Sequence, residues 1–325
     1  MEPTSDIYPN QLLVSVVIAL YKTPISFLRD AIESAINQTW TNLEILVSDD
    51  SPDACLKEVV EGYRDSRIHY FHNSPSFGPA KNHWRCFQSA KGEYITVLNH
   101  DDSWELCFVE KLVQKLIQDK TLAISFCDHW VIDSSGDRLL EETDRNTKVW
   151  GRENLLEGKY EHWENIMSSQ SIPMVMGAIF RKDILPEILP EKVGPAYDLW
   201  MTYLLNQDNY GVYYSSERLS SYRIHDDNLS GKIAVEWPRG MAECWKAIAN
   251  DVRFINIHPI ARQKATDKFM VCAKNSWILG HPLDCSRFGW QSLQMSLSLK
   301  GITATFLLPL LPRQLAKLNK KFVRA

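Results

Sequence analysis

Residues 12–20, LLVSVVIAL, are almost wholly apolar and rich in β-branched side chains. A strand of that kind has both faces covered, as in a parallel sheet with helices on either side. It runs into Tyr21-Lys22-Thr23-Pro24, after which Ile25, Leu28, Ile32, Ala35 and Ile36 recur at helical spacing. Thr23 and Pro24 suit the cap and first turn of that helix.

The unit then returns. Residues 43–47 read as a second strand ending in Asp49-Asp50-Ser51-Pro52-Asp53, followed by a helical stretch towards Tyr63 and a short strand over 68–71. Phe77-Gly78-Pro79 opens a helix to about Lys91, and residues 93–98 (EYITVL) form a buried strand that ends in Asn99-His100-Asp101-Asp102. This alternation predicts a parallel α/β sheet with right-handed crossovers.

In such sheets ligands bind at the carboxyl ends of the strands. Tyr21, the Asp49-Asp50 pair and the Asp101-Asp102 pair each follow an apolar strand, so the fold would bring five side chains into one crevice. Clustered carboxylates are costly to keep ionised unless a cation or hydrogen-bond donors compensate. Mg2+ or Mn2+ fits, since each prefers oxygen ligands and commonly takes one or two carboxylates plus diphosphate oxygens. A metal-bridged diphosphate is a good leaving group, which points to a nucleotide-activated substrate. Asp49 and Asp50 would accept hydrogen bonds from a pyrimidine N–H or a ribose hydroxyl, with Tyr21 stacked on the base. A plainer reading stands beside this one: Asp, Ser and Pro are favoured at turns and helix caps for local reasons, and a tyrosine at a strand end is often a packed aromatic.

Composition narrows the field. The 325 residues are 45% hydrophobic and 23% charged, enough apolar material for a large core. A net charge of -4 disfavours a nucleic-acid partner. Seven cysteines, with no C-x-x-C pair, read as reduced and mostly buried thiols. Residues 1–10 lack the apolar core of a secretory signal, and no apolar run approaches the ~20 residues of a spanning helix, so a cytoplasmic protein is expected. No two glycines stand two residues apart, and no glycine-lysine pair of the phosphate-loop type, H-E-x-x-H or G-x-S-x-G occurs. Dehydrogenase, P-loop NTPase, zincin and α/β-hydrolase readings lose their best support.

Five segments, in order, carry a resemblance: VSVVIALYK, NQTWTNLEILVSDDSPD, FGPAKNHWRCFQSAKGEYITVLNHDDSW, YDLW and YRIHDDNLS. Together they resemble the family 2 glycosyltransferases of GT-A fold, over roughly the first two-thirds of the chain. The resemblance implies a Rossmann-like, mostly parallel central sheet flanked by helices. It also implies inverting, Mg2+- or Mn2+-assisted transfer of a sugar from a UDP-, GDP- or dTDP-sugar to a saccharide or lipid-linked acceptor, as in bacterial surface polysaccharide synthesis. It places Tyr21, Asp49, Asp50, Lys81, Asn82 and Asp101 at the nucleotide, and Asp102 and His225 at the metal. Asn99 stands where many relatives carry another aspartate.

The catalytic base is the main departure. Relatives commonly place Glu-Asp just before the YDLW run, where this chain has Pro195 and Ala196. Asp198 is the nearest carboxylate and Glu191 lies a little upstream. Either Asp198 is the base, or another residue serves, or catalysis is impaired and the protein only binds nucleotide-sugars. In the first turn of a helix Asp198 would also gain dipole stabilisation with no catalytic part.

Residues 1–232 are thus read as the catalytic domain and 233–325 as a helical region, with Trp245, Ile248, Val252, Phe269 and Trp277 as its core. From Gly301 the tail has no acid, an apolar first half broken by Pro309 and Pro312, and five bases: Arg313, Lys317, Lys320, Lys321 and Arg324. That asymmetry suits peripheral contact with the inner face of the cell membrane, or ordinary packing with a solvated basic end.

Overall fold

A computed structural model describes residues 12–185, 192–206, 210–225 and 235–311. Glu191, the last five residues of YRIHDDNLS and the five tail bases lie outside the described residues. The chain divides into two compact units, Met1–Leu189 with Leu204–Asn228, and Pro190–Tyr203 with Leu229–Ala325. The sequence suggests one break after residue 232, whereas the segment bearing Asp198 groups with the helical residues.

The first unit is built on strands β1 (Val14–Leu20), β2 (Leu43–Asp49), β3 (Ile68–His72), β4 (Tyr94–Val97), β5 (Ser103–Trp104), β6 (Leu122–Ile132), β7 (Gly158–Tyr160), β8 (Ala178–Arg181) and β9 (Gly211–Arg223). Its helices are α1 (Ile25–Ile36), α2 (Lys57–Glu61), α3 (Pro79–Ser89), α4 (Phe108–Gln118), α5 (Leu140–Val149) and α6 (Glu164–Ser169). The sheet runs β3-β2-β1-β4-β8-β6-β9-β5, with β7 paired to β9. β3, β2, β1 and β4 are mutually parallel, as the apolar runs suggested. Beyond β4 the sheet is mixed: β8 is antiparallel to β4 and β6, and β9 is parallel to β6 but antiparallel to β5 and β7.

Every residue of β1 and β2 is buried. α1 buries Phe27, Leu28, Ala31, Ile32 and Ala35, while α4 buries Phe108, Val109, Leu112, Val113 and Leu116, each at helical spacing. Thr23 does not cap α1. The cap position falls to Pro24, no side chain caps the helix, and the buried Thr23 hydroxyl has no hydrogen-bond partner among the described residues.

Register decides where the loops meet. Leu20 pairs with Asp49, Asp49 with His72, and Val17 with Val97, so the carboxyl ends of β1, β2, β3 and β4 lie along one edge of the sheet.

The second unit contains α7 (Tyr197–Leu205, assigned to this unit as far as Tyr203), α8 (Glu236–Ile248), α9 (His258–Leu279), α10 (Pro282–Met295) and α11 (Leu299–Ile302). α8 buries Met241, Cys244, Trp245 and Ile248; α9 buries Ala265, Phe269, Cys272 and Ala273. Trp245, Ile248, Phe269 and Trp277 are core residues, but Val252 is not: it sits in a 3-10 turn, 82% exposed.

Two buried histidines of the first unit give stability a pH dependence. Burial pushes His83 down to about 4. Burial, then the Arg152 guanidinium, pushes His129 down to about 3, and His129 Nε2 accepts from Arg152 Nη2 at 3.4 Å. In the unfolded chain both titrate near 6.5. As pH falls below that value the unfolded state takes up protons that the fold refuses, so stability present above pH 6.5 is lost progressively towards pH 4 and below. Thermal melts from pH 7 to pH 4 should show this decline, and His83→Asn should make it shallower.

Candidate functional site

Asp49 is fully buried. Its Oδ1 accepts from Ser51 N at 2.9 Å and its Oδ2 from the Tyr70 hydroxyl at 2.8 Å. Asp50 is more heavily engaged: Oδ1 accepts from Phe77 N (2.7 Å) and Asn73 Nδ2 (3.1 Å), Oδ2 from Gly78 N (2.6 Å) and Ser76 Oγ (2.7 Å). Burial alone would raise its pKa, yet these donors outweigh it and hold the carboxyl below the usual range. A carboxylate has about four acceptor positions, and all are taken. The sequence expectation of an acceptor open to a base N–H therefore does not describe Asp50, which instead folds the 73–78 loop over the end of β2.

Asn82 is similarly committed. Its Nδ2 donates to the carbonyls of Leu20 (3.3 Å) and Ser48 (3.0 Å), joining the ends of β1 and β2, and its Oδ1 accepts from Asn73 Nδ2 at 2.9 Å. Asn73, which sequence reasoning passed over, is the node of this network, also reaching Ser48 Oγ and receiving the Arg85 guanidinium. Its signal was there: an Asn-Ser-Pro-Ser run between strand and helix marks a loop needing side-chain support. Tyr21 and Phe77 are 53% and 44% exposed, and Lys81 is an exposed residue of α3.

At the end of β4 the two aspartates part company. Asp102 is fully buried; its Oδ1 accepts from Arg223 N at 2.9 Å and its Oδ2 from Asn99 Nδ2 at 2.9 Å. Burial, then the neighbouring Asp101 charge, pushes its pKa well up. The carboxylate expected at the metal thus faces inward, where Asn99 donates a hydrogen bond to it. Asp101 Oδ2 lies 3.1 Å from His225 Nε2, with both side chains about one-seventh exposed, at 15% and 14%. His225 also stands 5.2 Å, ring to ring, from Phe27.

Arg223, the residue of YRIHDDNLS that sequence reasoning left without a role, fastens this corner. It is 2% exposed; Nε donates to Asp101 O (2.8 Å), Nη1 to Asp133 O and Ser134 O (3.3 and 3.4 Å), and Nη2 to Asp30 Oδ2 (2.7 Å). Its guanidinium carbon is 4.7 Å from the Phe27 ring centre.

In the second unit, Gly194–Ala196 forms a 3-10 turn leading into α7. Ala196 is fully buried, and a side chain at Gly240 of α8 would overlap Val193 O and crowd Ala196. A small residue at 196 suits this packing, while Pro195 is half-buried. Asp198, in the first turn of α7, has its pKa raised by burial, and its Oδ1 finds no hydrogen-bond partner among the described residues.

The donor set of Asp101 and His225 fits a hard divalent cation that keeps several waters and takes few protein ligands. No cluster of three His, Cys, Asp or Glu that could enclose an ion occurs among the described residues. Any cation there would rely on diphosphate and water for its remaining ligands.

A parallel block with acidic strand ends, closed by a mixed half-sheet, is an α/β architecture of the kind that gathers ligands at the carboxyl ends of its strands. The family model described as glycosyl transferase family 2 matches residues 15–189, and the chain belongs to that family. An uncharacterized glycosyltransferase of Rickettsia typhi is 27% identical over 225 residues, 66% of this chain and 64% of the relative. The Escherichia coli enzyme WfaP, a UDP-Glc:alpha-D-GlcNAc-diphosphoundecaprenol beta-1,3-glucosyltransferase, is 29% identical over 119 residues, 37% of this chain and 47% of the relative. The chain thus spans less than two thirds of either curated relative. Among solved structures, residues 1–349 of S. aureus TarS in complex with UDP-GlcNAc superpose with a TM-score of 0.66 at 15% identity, covering 96% of this chain and 92% of that one. The fold expected from the sequence, a central sheet flanked by helices with a helical C-terminal region, stands.

Proposed function

We propose that this glycosyltransferase moves a sugar from a nucleotide-sugar to an acceptor hydroxyl with inversion, using a divalent cation held by Asp101 and His225. The juxtaposition of those two side chains at the carboxyl edge of the parallel strands carries the reading. In it the roles suggested by sequence are exchanged: Asp101 meets the metal, and Asp102 fixes the loop from within. Mg2+ or Mn2+, when bound, neutralises the charge that develops on the departing diphosphate. Tyr21 and Phe77 offer exposed aromatic faces for the base, while Asp49, Asp50 and Asn82 hold the strand ends that shape its pocket.

Inversion needs a base to take the acceptor's proton. Asp198 is the proposed base, since a carboxylate raised by burial and with an unengaged oxygen is a better proton acceptor than a solvated one. A saccharide or lipid-linked acceptor of surface glycan synthesis is in keeping with WfaP, which is described as acting on a diphosphoundecaprenol-linked sugar.

The test is a panel of UDP-, GDP- and dTDP-sugars with Mn2+, read for donor hydrolysis or transfer and for the anomeric configuration of the product. Asp198→Asn should lower turnover by about 10²- to 10⁴-fold, the usual worth of a general base, while UDP binding by calorimetry is retained. A second reading, a binding protein without turnover, is motivated by Pro195 and Ala196. Metal-dependent UDP binding with no turnover of any donor would establish it.

A further inference from the structure

The helical stretch that begins with α11 and continues through a π turn at Thr303–Leu307 and a 3-10 turn at Leu308–Leu310 packs inside out. Its small residues face the protein: Gly301, Ala304 and Thr305 are buried. Ser286 Oγ of α10 donates to Thr305 O at 2.9 Å, Cys285 Sγ to Ala304 O at 3.5 Å, and a Cβ at Gly289 would lie 2.6 Å from Thr305 N. Its large residues face out. Leu299, Ile302, Phe306 and Leu310 follow one another at intervals of three or four residues on the opposite side, all exposed, Leu299 and Leu310 at 83% and 80%. Leu297 and Leu307 extend the patch. Single exposed apolar residues need no explanation, but a contiguous face that hides glycine and alanine while presenting leucine and phenylalanine does.

Charge indicates what covers it. Residues 285–325 contain seven Lys and Arg and no Asp or Glu, in a chain whose net charge is -4. A second copy meeting this face through a two-fold axis would set the same basic segment against itself. Folding the last fourteen residues back would bring five more bases against Lys300 and against Arg287, which already pairs with Asp284 at 3.1 Å. An anionic bilayer satisfies both features, taking the apolar side chains into its headgroup boundary and the bases onto its phosphates. No helix among the described residues is long and apolar enough to cross a membrane, so such contact would be peripheral.

We propose that the face formed by Leu299, Ile302, Phe306 and Leu310 seats the protein on an anionic membrane surface. This concerns the second unit alone and requires neither the donor nor the base proposed above.

The full chain, without donor or acceptor, is to be floated with vesicles of phosphatidylcholine alone or mixed with phosphatidylglycerol. It should bind only the mixed vesicles, with binding weakened by salt and reduced about tenfold or more by the double substitution Phe306→Asp, Leu310→Asp. Amide hydrogen exchange on the unaltered chain gives an independent readout: residues 297–311 should become protected when mixed vesicles are added. Failure to bind mixed vesicles overturns the proposal. Undiminished binding by the double variant also overturns it, assigning the affinity to the tail's charge alone. So does a dimer in solution that the double substitution splits, which would give the face to a second copy.

Discussion

Asp101→Asn should reduce kcat/KM for donor turnover at least about 10³-fold, a loss of roughly 4 kcal/mol of transition-state stabilisation, while leaving the melting temperature almost unchanged. The asymmetry follows from what each part of Asp101 touches. Its carbonyl holds the Arg223 Nε and survives the substitution, whereas its carboxylate contacts His225, the other proposed cation ligand. An amide has the same shape but a weaker hold on a hard cation, so electron paramagnetic resonance should show weakened Mn2+ binding in the presence of UDP. Asp102→Asn should behave differently. Its carboxylate accepts from Arg223 N and from Asn99 Nδ2, so an amide N–H set against either donor costs about 1–3 kcal/mol. Burial and the Asp101 charge already penalise the ionised form, and removing the charge returns part of that cost. A modest fall in melting temperature with partial activity is expected. The opposite pattern, Asp102→Asn inactive at unchanged stability and Asp101→Asn active, would restore the roles that the sequence resemblance suggests.

How legible this site was in the sequence depends on what each signal measures. β1, β2 and β4 announced themselves because strands covered on both faces must be apolar throughout, and residues directly after them were bound to share an edge. The antiparallel half was not legible: β5 is two residues long, too short for any period, and β9, GVYYSSERLSSYR, is polar enough to pass for a loop. Which of two adjacent aspartates faces outward was also beyond reach. Both lie in the turn between β4 and β5, where neither strand alternation nor a helical period says which side chain turns inward. Asp50 illustrates a further limit. Its residue type and place were read correctly as acceptor chemistry at a strand end, but the donors that fill it lie in a loop 23 to 28 positions away.

Arg223→Met should be among the most destabilising substitutions outside the apolar core, costing about 3–5 kcal/mol. Methionine keeps much of the aliphatic bulk but leaves the carbonyls of Asp101, Asp133 and Ser134 without their donor, and an unsatisfied buried acceptor costs roughly 1–3 kcal/mol. The ion pair to Asp30 contributes little to this sum: that carboxylate is 51% exposed and water can replace the lost partner. Asp30→Asn should therefore cost under about 1 kcal/mol, a contrast that separates the carbonyl clamp from the salt bridge. At ~2–4 °C per kcal/mol for a unit of this size, Arg223→Met should melt on the order of 10 °C lower, by differential scanning calorimetry. The backbone N–H of Arg223 still reaches Asp102, so the Asp101 loop should loosen rather than detach. UDP binding in the presence of Mn2+ should weaken in step with stability, and Arg223→Lys, which keeps the charge but cannot span three carbonyls, should recover only part of either. A melting temperature unchanged by Arg223→Met would mean that the Asp101–His225 pair is held by β9 packing alone.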